Sequence, residues 1–437
     1  MIKNFVLFHF LIFKNNGSTQ IGSLVMSEVL NKVPAELIEE ILLYVPEEQI
    51  PDLMLLCKKV NEVVSESSKL MKNFELQYKD SSELNKLLAK SIRRYRRLNV
   101  TGPIRRTLPL SNFFTRNAFS LQSVSFYECD FSRADLHAML SQVGANLTDI
   151  NLCEVSIGEM DEEVDDEELP RITMAKLKSM ELMYDSQGGY DFIFSKLTTP
   201  ALRRFTYEDE HKMNAEQAER FVAFMTSQTV LEDLSLSSNA TKNLLKDKQA
   251  IASYPFRLRN FYLWMDKMRA HGTDKLMAFL NTQQGSLKVL TLCRVFLRKD
   301  DVSSLLQFDL EDFRLVQCRF DELRPIEFSI KPNRSIKSMF ISSSSFEATE
   351  QQLALKNILE SCKGLTYIKF ACIAFNFEIC LALAYGVPSL DRLQFYRCTF
   401  PPITFPSVEH ITFFDCERQD VVFLIRVNRQ LKSQRNL

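Results

Sequence analysis

A nine-residue phrase recurs along this chain. Residues 121–129 read LQSVSFYEC, and the phrase returns as LEDLSLSSN from Leu231, LEDFRLVQC from Leu310 and LDRLQFYRC from Leu390. Positions 1, 4 and 6 are apolar, and position 9 is Cys or Asn. Looser copies begin at Tyr95, Leu147, Leu177, Leu202, Leu258, Leu287, Ile336, Leu365 and Val408, thirteen copies in all at about 26 residues each. A unit that short cannot bury its own apolar side, so it must stack on another copy of itself. No other feature narrows the choice of folds as much.

Positions 4 and 6 are two residues apart and therefore share one face of a strand, while positions 3, 5 and 7 share the other. Between the phrases, residues 133–143, 215–228, 272–283 and 350–362 carry apolar residues at helical spacing. The pattern resembles the leucine-rich repeat family, whose units run about 20–29 residues. That resemblance implies an α/β solenoid with parallel strands on a concave face and helices on a convex one. The thiols or amide at position 9 (Cys129, Asn239, Cys318, Cys398 and Cys416) then bond the backbone where the chain leaves the strand. Residues 419–434, QDVVFLIRVNRQLKSQ, are predicted to form a final amphipathic helix over the last repeat.

Composition removes several alternatives. The ten cysteines are scattered singly, with no C-x-x-C pair, which argues against a zinc knuckle or a secreted disulfide framework and favours a reducing compartment, cytoplasmic or nuclear. Glycine is scarce, at 11 residues, and no phosphate-binding loop, G-x-S-x-G or H-E-x-x-H occurs. The five histidines stand apart from any cysteine or acidic partner in a known motif. A net charge of -1 supplies no electrostatic reason to bind nucleic acid or a membrane surface. No enzyme, cofactor or metal is expected.

The segment ahead of the repeats is denser in apolar residues than its length can hide. Residues 33–63 read VPAELIEEILLYVPEEQIPDLMLLCKKVNEV. Pro34 suits a helical first turn, Leu37, Ile38, Ile41, Leu42 and Val45 follow at helical spacing, Pro46 ends the run, and a second helix starts at Ile50-Pro51. This segment resembles an F-box. Val33 stands where that family has its first leucine, with Pro34, Glu36, Leu37, Ile41, Leu42, Tyr44, Val45 and Pro46 in register, then Ile50, Leu53, Leu56, Cys57 and Lys58. Val60 replaces the usual aromatic.

An F-box followed by leucine-rich repeats is similar to the substrate receptors of SCF-type cullin ubiquitin ligases. The resemblance implies that the segment docks a Skp-type adaptor, and through it a cullin and a RING protein, while the solenoid holds a protein substrate. Such a receptor performs no chemistry and acts by raising the effective concentration of substrate near the ubiquitin-charged enzyme. Pro34, Leu37, Ile41, Leu42, Pro46, Ile50, Leu53, Leu56 and Val60 are the expected adaptor-binding residues. The alternative is an interaction scaffold unconnected to degradation. A secreted repeat receptor is a third reading, suggested only by the apolar start MIKNFVLFHFLIF.

The expected organisation is therefore an N-terminal extension over 1–25, with Met26 as a natural start, an F-box unit of three helices over 26–75, a helical linker over 76–94, repeats over 95–418 and a C-terminal cap over 419–437. The substrate surface is read from positions 3, 5 and 7. Early copies place short or charged residues there: Ser123, Ser125, Asp149, Asn151, Ser179 and Glu181. Later copies place Tyr262, Trp264, Arg314, Phe340, Tyr367, Lys369, Arg392, Tyr396 and Phe414, the aromatic and cationic mixture of interface hot spots. Two charge runs remain, an acidic one over 160–170 that lengthens one repeat into a solvated loop, and a basic one over 90–106 at the start of the repeats that is read as a solvated linker helix and first strand or as an anion site.

Overall fold

The structure is a computed structural model, and it describes residues 30–45, 50–54, 57–67, 69–78, 93–102, 108–158, 169–185, 189–209, 212–246, 248–265, 273–320, 332–342, 349–401, 405 and 408–416. The expected N-terminal extension, most of the acidic run, the C-terminal helix over 419–434, and Pro46 and Leu56 lie outside these residues. The chain forms two compact units. One runs to Met180 and includes Lys196–Thr199, and the other comprises Glu181–Ser195 and the chain from Pro200 onward.

The first unit includes the helices α1 (Ala35–Leu42), α2 (Ile50–Met54) and α3 (Lys58–Glu66), with α1 and α2 both lying against α3. Pro34 immediately precedes α1, at the end where its missing N–H costs nothing. Cys57 caps α3, its sulfur accepting from the Val60 N–H at 3.5 Å. Four parallel strands follow in chain order: β1 (Glu75–Tyr78), β2 (Arg97–Thr101), β3 (Ser123–Tyr127) and β4 (Asp149–Cys153). The strand β5 (Ser179–Asp185) falls where the chain passes from one unit to the other.

The second unit continues the pattern with β6 (Arg204–Asp209), β7 (Asp233–Leu236), β8 (Asn260–Trp264), β9 (Val289–Cys293), β10 (Asp312–Val316), β11 (Ser338–Ser342), β12 (Tyr367–Ala371), β13 (Arg392–Tyr396) and β14 (His410–Phe414). Each pairs in parallel with the next. All thirteen sequence copies yield a strand that begins at position 3. The helices Arg133–Val143, Ala215–Ser227, Thr273–Gln283 and Thr349–Ser361 lie where the apolar spacing put them. This is a leucine-rich repeat ladder of strands and intervening helices.

One expectation is corrected. The stretch read as the start of a helical linker opens as β1, whose Leu76 and Tyr78 are buried and whose register pairs Glu75 with Arg97 and Tyr78 with Val100. A four-residue strand with two apolar positions is too short to show a period of its own. It becomes a strand because β2 supplies its hydrogen-bond partners.

Backbone accounting explains why the repeat holds. At positions 2 and 3 the N–H groups both donate to the position-2 carbonyl of the preceding copy. Gln122 and Ser123 reach Arg96 in this way at 2.8 and 3.0 Å, and Glu311 and Asp312 reach Lys288 at 2.8 and 3.1 Å. At position 8 the chain turns left-handed. Glu128, Glu154, Tyr184, Arg294, Gln317, Cys372, Arg397 and Asp415 all have φ of 50–57°, and Gly102 holds the same repeat position at 107°. A side chain in that region costs about 1–2 kcal/mol. The return is a hydrogen bond: the N–H of Glu128, Arg294 and Arg397 reaches the next copy's position-7 carbonyl at Cys153, Val316 and Phe414, at 3.1, 2.8 and 3.0 Å.

Position 9 follows at once, and its thiols bond as expected. The Cys129 sulfur donates to the Tyr127 and Gly102 carbonyls at 3.2 and 3.5 Å, and Cys318 donates to Leu292 at 3.2 Å. The core is rich in phenylalanine. Phe194, Phe205, Tyr207, Phe221 and Phe224 meet with ring centroids 5.2–6.3 Å apart, and each such pair contributes about 0.5–1.5 kcal/mol beyond area burial.

Candidate functional site

Two surfaces carry the residues singled out from the sequence. On the helical unit, α1 turns Ile38, Ile41 and Leu42 inward, and Ile50, Leu53 and Val60 close the same small core. Five of the expected adaptor residues (Ile41, Leu42, Ile50, Leu53 and Val60) are therefore interior, because three short helices need them to hold together. The exposed apolar groups are Pro34, Leu37 at 43%, Leu43 at 45% and Tyr44 at 65%. Leu37 lies on α1 itself, Pro34 immediately precedes it, and Leu43 and Tyr44 immediately follow its last turn. Leu43 and Tyr44 are additions that the structure makes; the signal for them was their place at the end of a helix whose other apolar face was already spoken for. The unit is tied internally by Ser67 to Glu39 at 2.7 Å and by Lys59 to the Asn31 carbonyl at 2.9 Å.

The second surface is the open face of the ladder in the second unit, and strand register sorts its candidates. Along position 5, Arg314, Phe340 and Lys369 are direct neighbours on β10, β11 and β12. At position 3, Tyr367 faces Arg392, and at position 7 Tyr396 faces Phe414. Arg314, Phe340, Lys369, Tyr367 and Arg392 form one contiguous patch, and Tyr396 and Phe414 form a neighbouring pair beyond Gln394 and Ala371. Tyr262 and Trp264 share β8 but are separated from these by Thr291 at position 5 and by Cys293, Val316, Ser342 and Ala371 at position 7.

Local contacts hold these side chains in place. The Lys369 ammonium lies 5.4 Å from the Phe340 ring, and the Arg294 guanidinium lies 5.0 Å from the Trp264 ring. Arg314 donates to the Asp312 carboxylate at 2.6 and 3.0 Å, and the Tyr367 hydroxyl donates to Gln394 at 2.8 Å. Burial pushes the phenols of Tyr262 and Tyr367 and the carboxyl of Glu208 above their ordinary values. Trp264 keeps 38% of its surface exposed and Phe414 48%. In the first unit Ser123, Ser125, Asp149 and Asn151 hold positions 3 and 5 of β3 and β4, and Asn151 donates to the hydroxyl of Tyr127, at position 7 of β3, at 3.1 Å.

Burial pushes the thiols of Cys318, Cys362 and Cys380 up to about 12, and those of Cys293 and Cys398 up to about 11, so they stay protonated near neutrality. The sequence did not bring Asp391, Glu409 and His410 together, but their ligand atoms lie within 4.8 Å of one another at the start of the last two strands. Two of the three are exposed, and Arg392 sits 3.4 Å from Asp391 and answers part of its charge. Among the described residues no helix is long and apolar enough to cross a membrane.

No family model matches the chain, and no curated protein matches it. Solved structures do. A chain from the crystal structure of the Rad7 and Elc1 complex in yeast is 13% identical, with 93% of this chain and 96% of that one covered and a TM-score of 0.42. A chain from the crystal structure of the TLR13–ssRNA13 complex is 12% identical, with 78% and 55% covered and a TM-score of 0.36. The repeat architecture stands on the strand ladder itself.

Proposed function

We propose that this protein is a non-catalytic substrate receptor of an SCF-type ubiquitin ligase, working in the cytoplasm or nucleus. A Skp-type adaptor docks on the helical unit, against Pro34, Leu37, Leu43 and Tyr44, and brings a cullin and a RING protein with it. A protein substrate lies on the open face of β10 to β14, across Arg314, Phe340, Lys369, Tyr367 and Arg392 and the nearby pair Tyr396 and Phe414. The observation that carries this reading is the exposed apolar residues on α1 and at its two ends, on a segment whose letters resemble an F-box and which precedes a repeat ladder. Apolar side chains left outside a core this small fit a partner that covers them.

The mechanism asks only for binding. The ladder holds the substrate, the helical unit holds the adaptor, and lysines of the substrate spend more time near the ubiquitin-charged enzyme. The test is co-purification of the full chain with a Skp-type adaptor and a cullin. Leu37→Asp combined with Tyr44→Ala is expected to remove both while leaving Tm within a few degrees, because both side chains are exposed. An unchanged yield of adaptor sinks the reading. Adaptor without cullin points to a scaffold.

A further inference from the structure

Tyr262 and Trp264 lie outside the surface that the proposed function uses. Both belong to β8, and their neighbours across the sheet are small. Register sets Tyr262 between Ser235 and Thr291 at position 5. At position 7 it sets Trp264 beside Cys293 on one side. On the other side, the pairing of Tyr207 with Leu236 and of Leu236 with Leu263 puts Ser237 next to Trp264 and Glu208 beyond it. Ser237 is buried, and its hydroxyl accepts from the Asp209 N–H at 3.1 Å. A short side chain held down in this way leaves a slot between Glu208 and Trp264. Two strand spacings make the slot about 10 Å across from backbone to backbone.

The two walls of the slot differ in chemistry. Glu208 is half-buried, and burial pushes its carboxyl above the ordinary value. Burial, then Cys293 and Glu208, push the Tyr262 phenol up, so the Glu208 charge is felt at that ring. Trp264 is exposed, and Arg294, from the copy that carries β9, lies over its ring at 5.0 Å. The same guanidinium donates to Gln317 at 2.8 Å. A carboxylate that has lost part of its water gains by meeting a cation, and the face of an indole ring attracts one.

We infer that this slot takes an arginine side chain of a protein partner. The incoming guanidinium stacks on Trp264 from the β7 side, away from Arg294, and donates to Glu208. Arginine fits better than lysine, because a planar guanidinium can lie on a ring and still reach a carboxylate with two N–H groups. Arg294 repels the incoming charge, and Glu208 at hydrogen-bond distance outweighs it, since the interaction falls off with separation. An acidic side chain is the wrong occupant, because Glu208 forms the opposite wall. The inference does not rest on the ligase reading, and its test involves neither the helical unit nor the face of β10 to β14.

Trp264 is the only tryptophan of the chain, so tryptophan fluorescence reports on this slot alone. The probe is acetyl-arginine methylamide, titrated into the full chain at low salt, with the acetyl-citrulline and acetyl-glutamate methylamides as comparisons. A saturable change in emission is expected with the arginine compound and with neither of the others. Glu208→Gln is expected to weaken binding about five- to tenfold, the size of a partly exposed charge-assisted bond. Glu216→Gln, which removes an exposed carboxylate elsewhere in the same unit, is expected to change nothing. If Glu208→Gln does not fold, Glu208→Asp, which keeps the charge on a shorter arm, takes its place with a smaller loss expected. The proposal is overturned if the citrulline compound changes the emission equally, or if the Glu208 variant binds as tightly as wild type. It is also overturned if the glutamate compound binds in preference, which would assign the slot to Arg294.

Discussion

The open face of the ladder has one chemistry in the first unit and another in the second. Both units bury positions 4 and 6 to the same degree: Val124 and Phe126 in the first, Leu393 and Phe395 in the second. Both turn left-handed at position 8 and use the same crossed backbone bonds at positions 2 and 3. At positions 3 and 5 β2, β3 and β4 of the first unit have Arg97, Asn99, Ser123, Ser125, Asp149 and Asn151, and β10 to β13 of the second include Tyr367, Arg392, Arg314, Phe340 and Lys369. The backbone does not require either set. A position that the fold leaves open is where binding chemistry can be written, and only the second unit writes aromatic and cationic residues there in adjacent registers.

The largest expected effect treats the units as equals. Phe126→Ala in the first and Phe370→Ala in the second are each expected to cost about 3–5 kcal/mol, read from urea unfolding of the full chain. A cost near zero in one unit would show that its ladder is not packed as described. The next effect separates them. Phe340→Ala is expected to weaken capture of a protein partner by about 2 kcal/mol or more, roughly thirtyfold, while Ser125→Ala leaves it unchanged. Equal losses at both positions, measured by calorimetry against the same partner, would remove the distinction between the faces. The smallest effect returns to what the units share. Glu154→Gly and Cys372→Gly are each expected to raise stability by about 0.5 kcal/mol, because glycine relieves the left-handed strain at a small entropic cost. A loss of stability in either would mean that its side chain contributes more than its backbone costs.

Much of the ladder was legible. Thirteen copies of one phrase fixed thirteen strand starts to the residue, because a strand's period of two and a fixed repeat length leave no freedom of register. The first strand was missed because ELQY has no periodicity until Arg97–Val100 lies beside it. The left-handed turns were hidden for a different reason. Only Gly102 carries the usual signal, and five of the other eight (Glu128, Arg294, Gln317, Cys372 and Arg397) are held by hydrogen bonds to the next copy.

The interaction surfaces were legible in part. Helical spacing put Leu37 and Ile41 on one stripe, yet Ile41 is 8% exposed and Leu37 43%. Spacing along one helix does not say where its neighbours end. Likewise, nine candidates on the open face came from position alone, and the register then joined five, paired Tyr396 with Phe414, and set Tyr262 and Trp264 apart.

By itself, then, the sequence determined that this chain is a stack of strand-and-helix units and which side chains face its core, since both follow from periodicities of two and about 26 residues. Tertiary structure alone decided which side of α1 is covered and which open-face residues adjoin. These depend on contacts between residues brought together by folding, and such contacts have no period for a sequence to display.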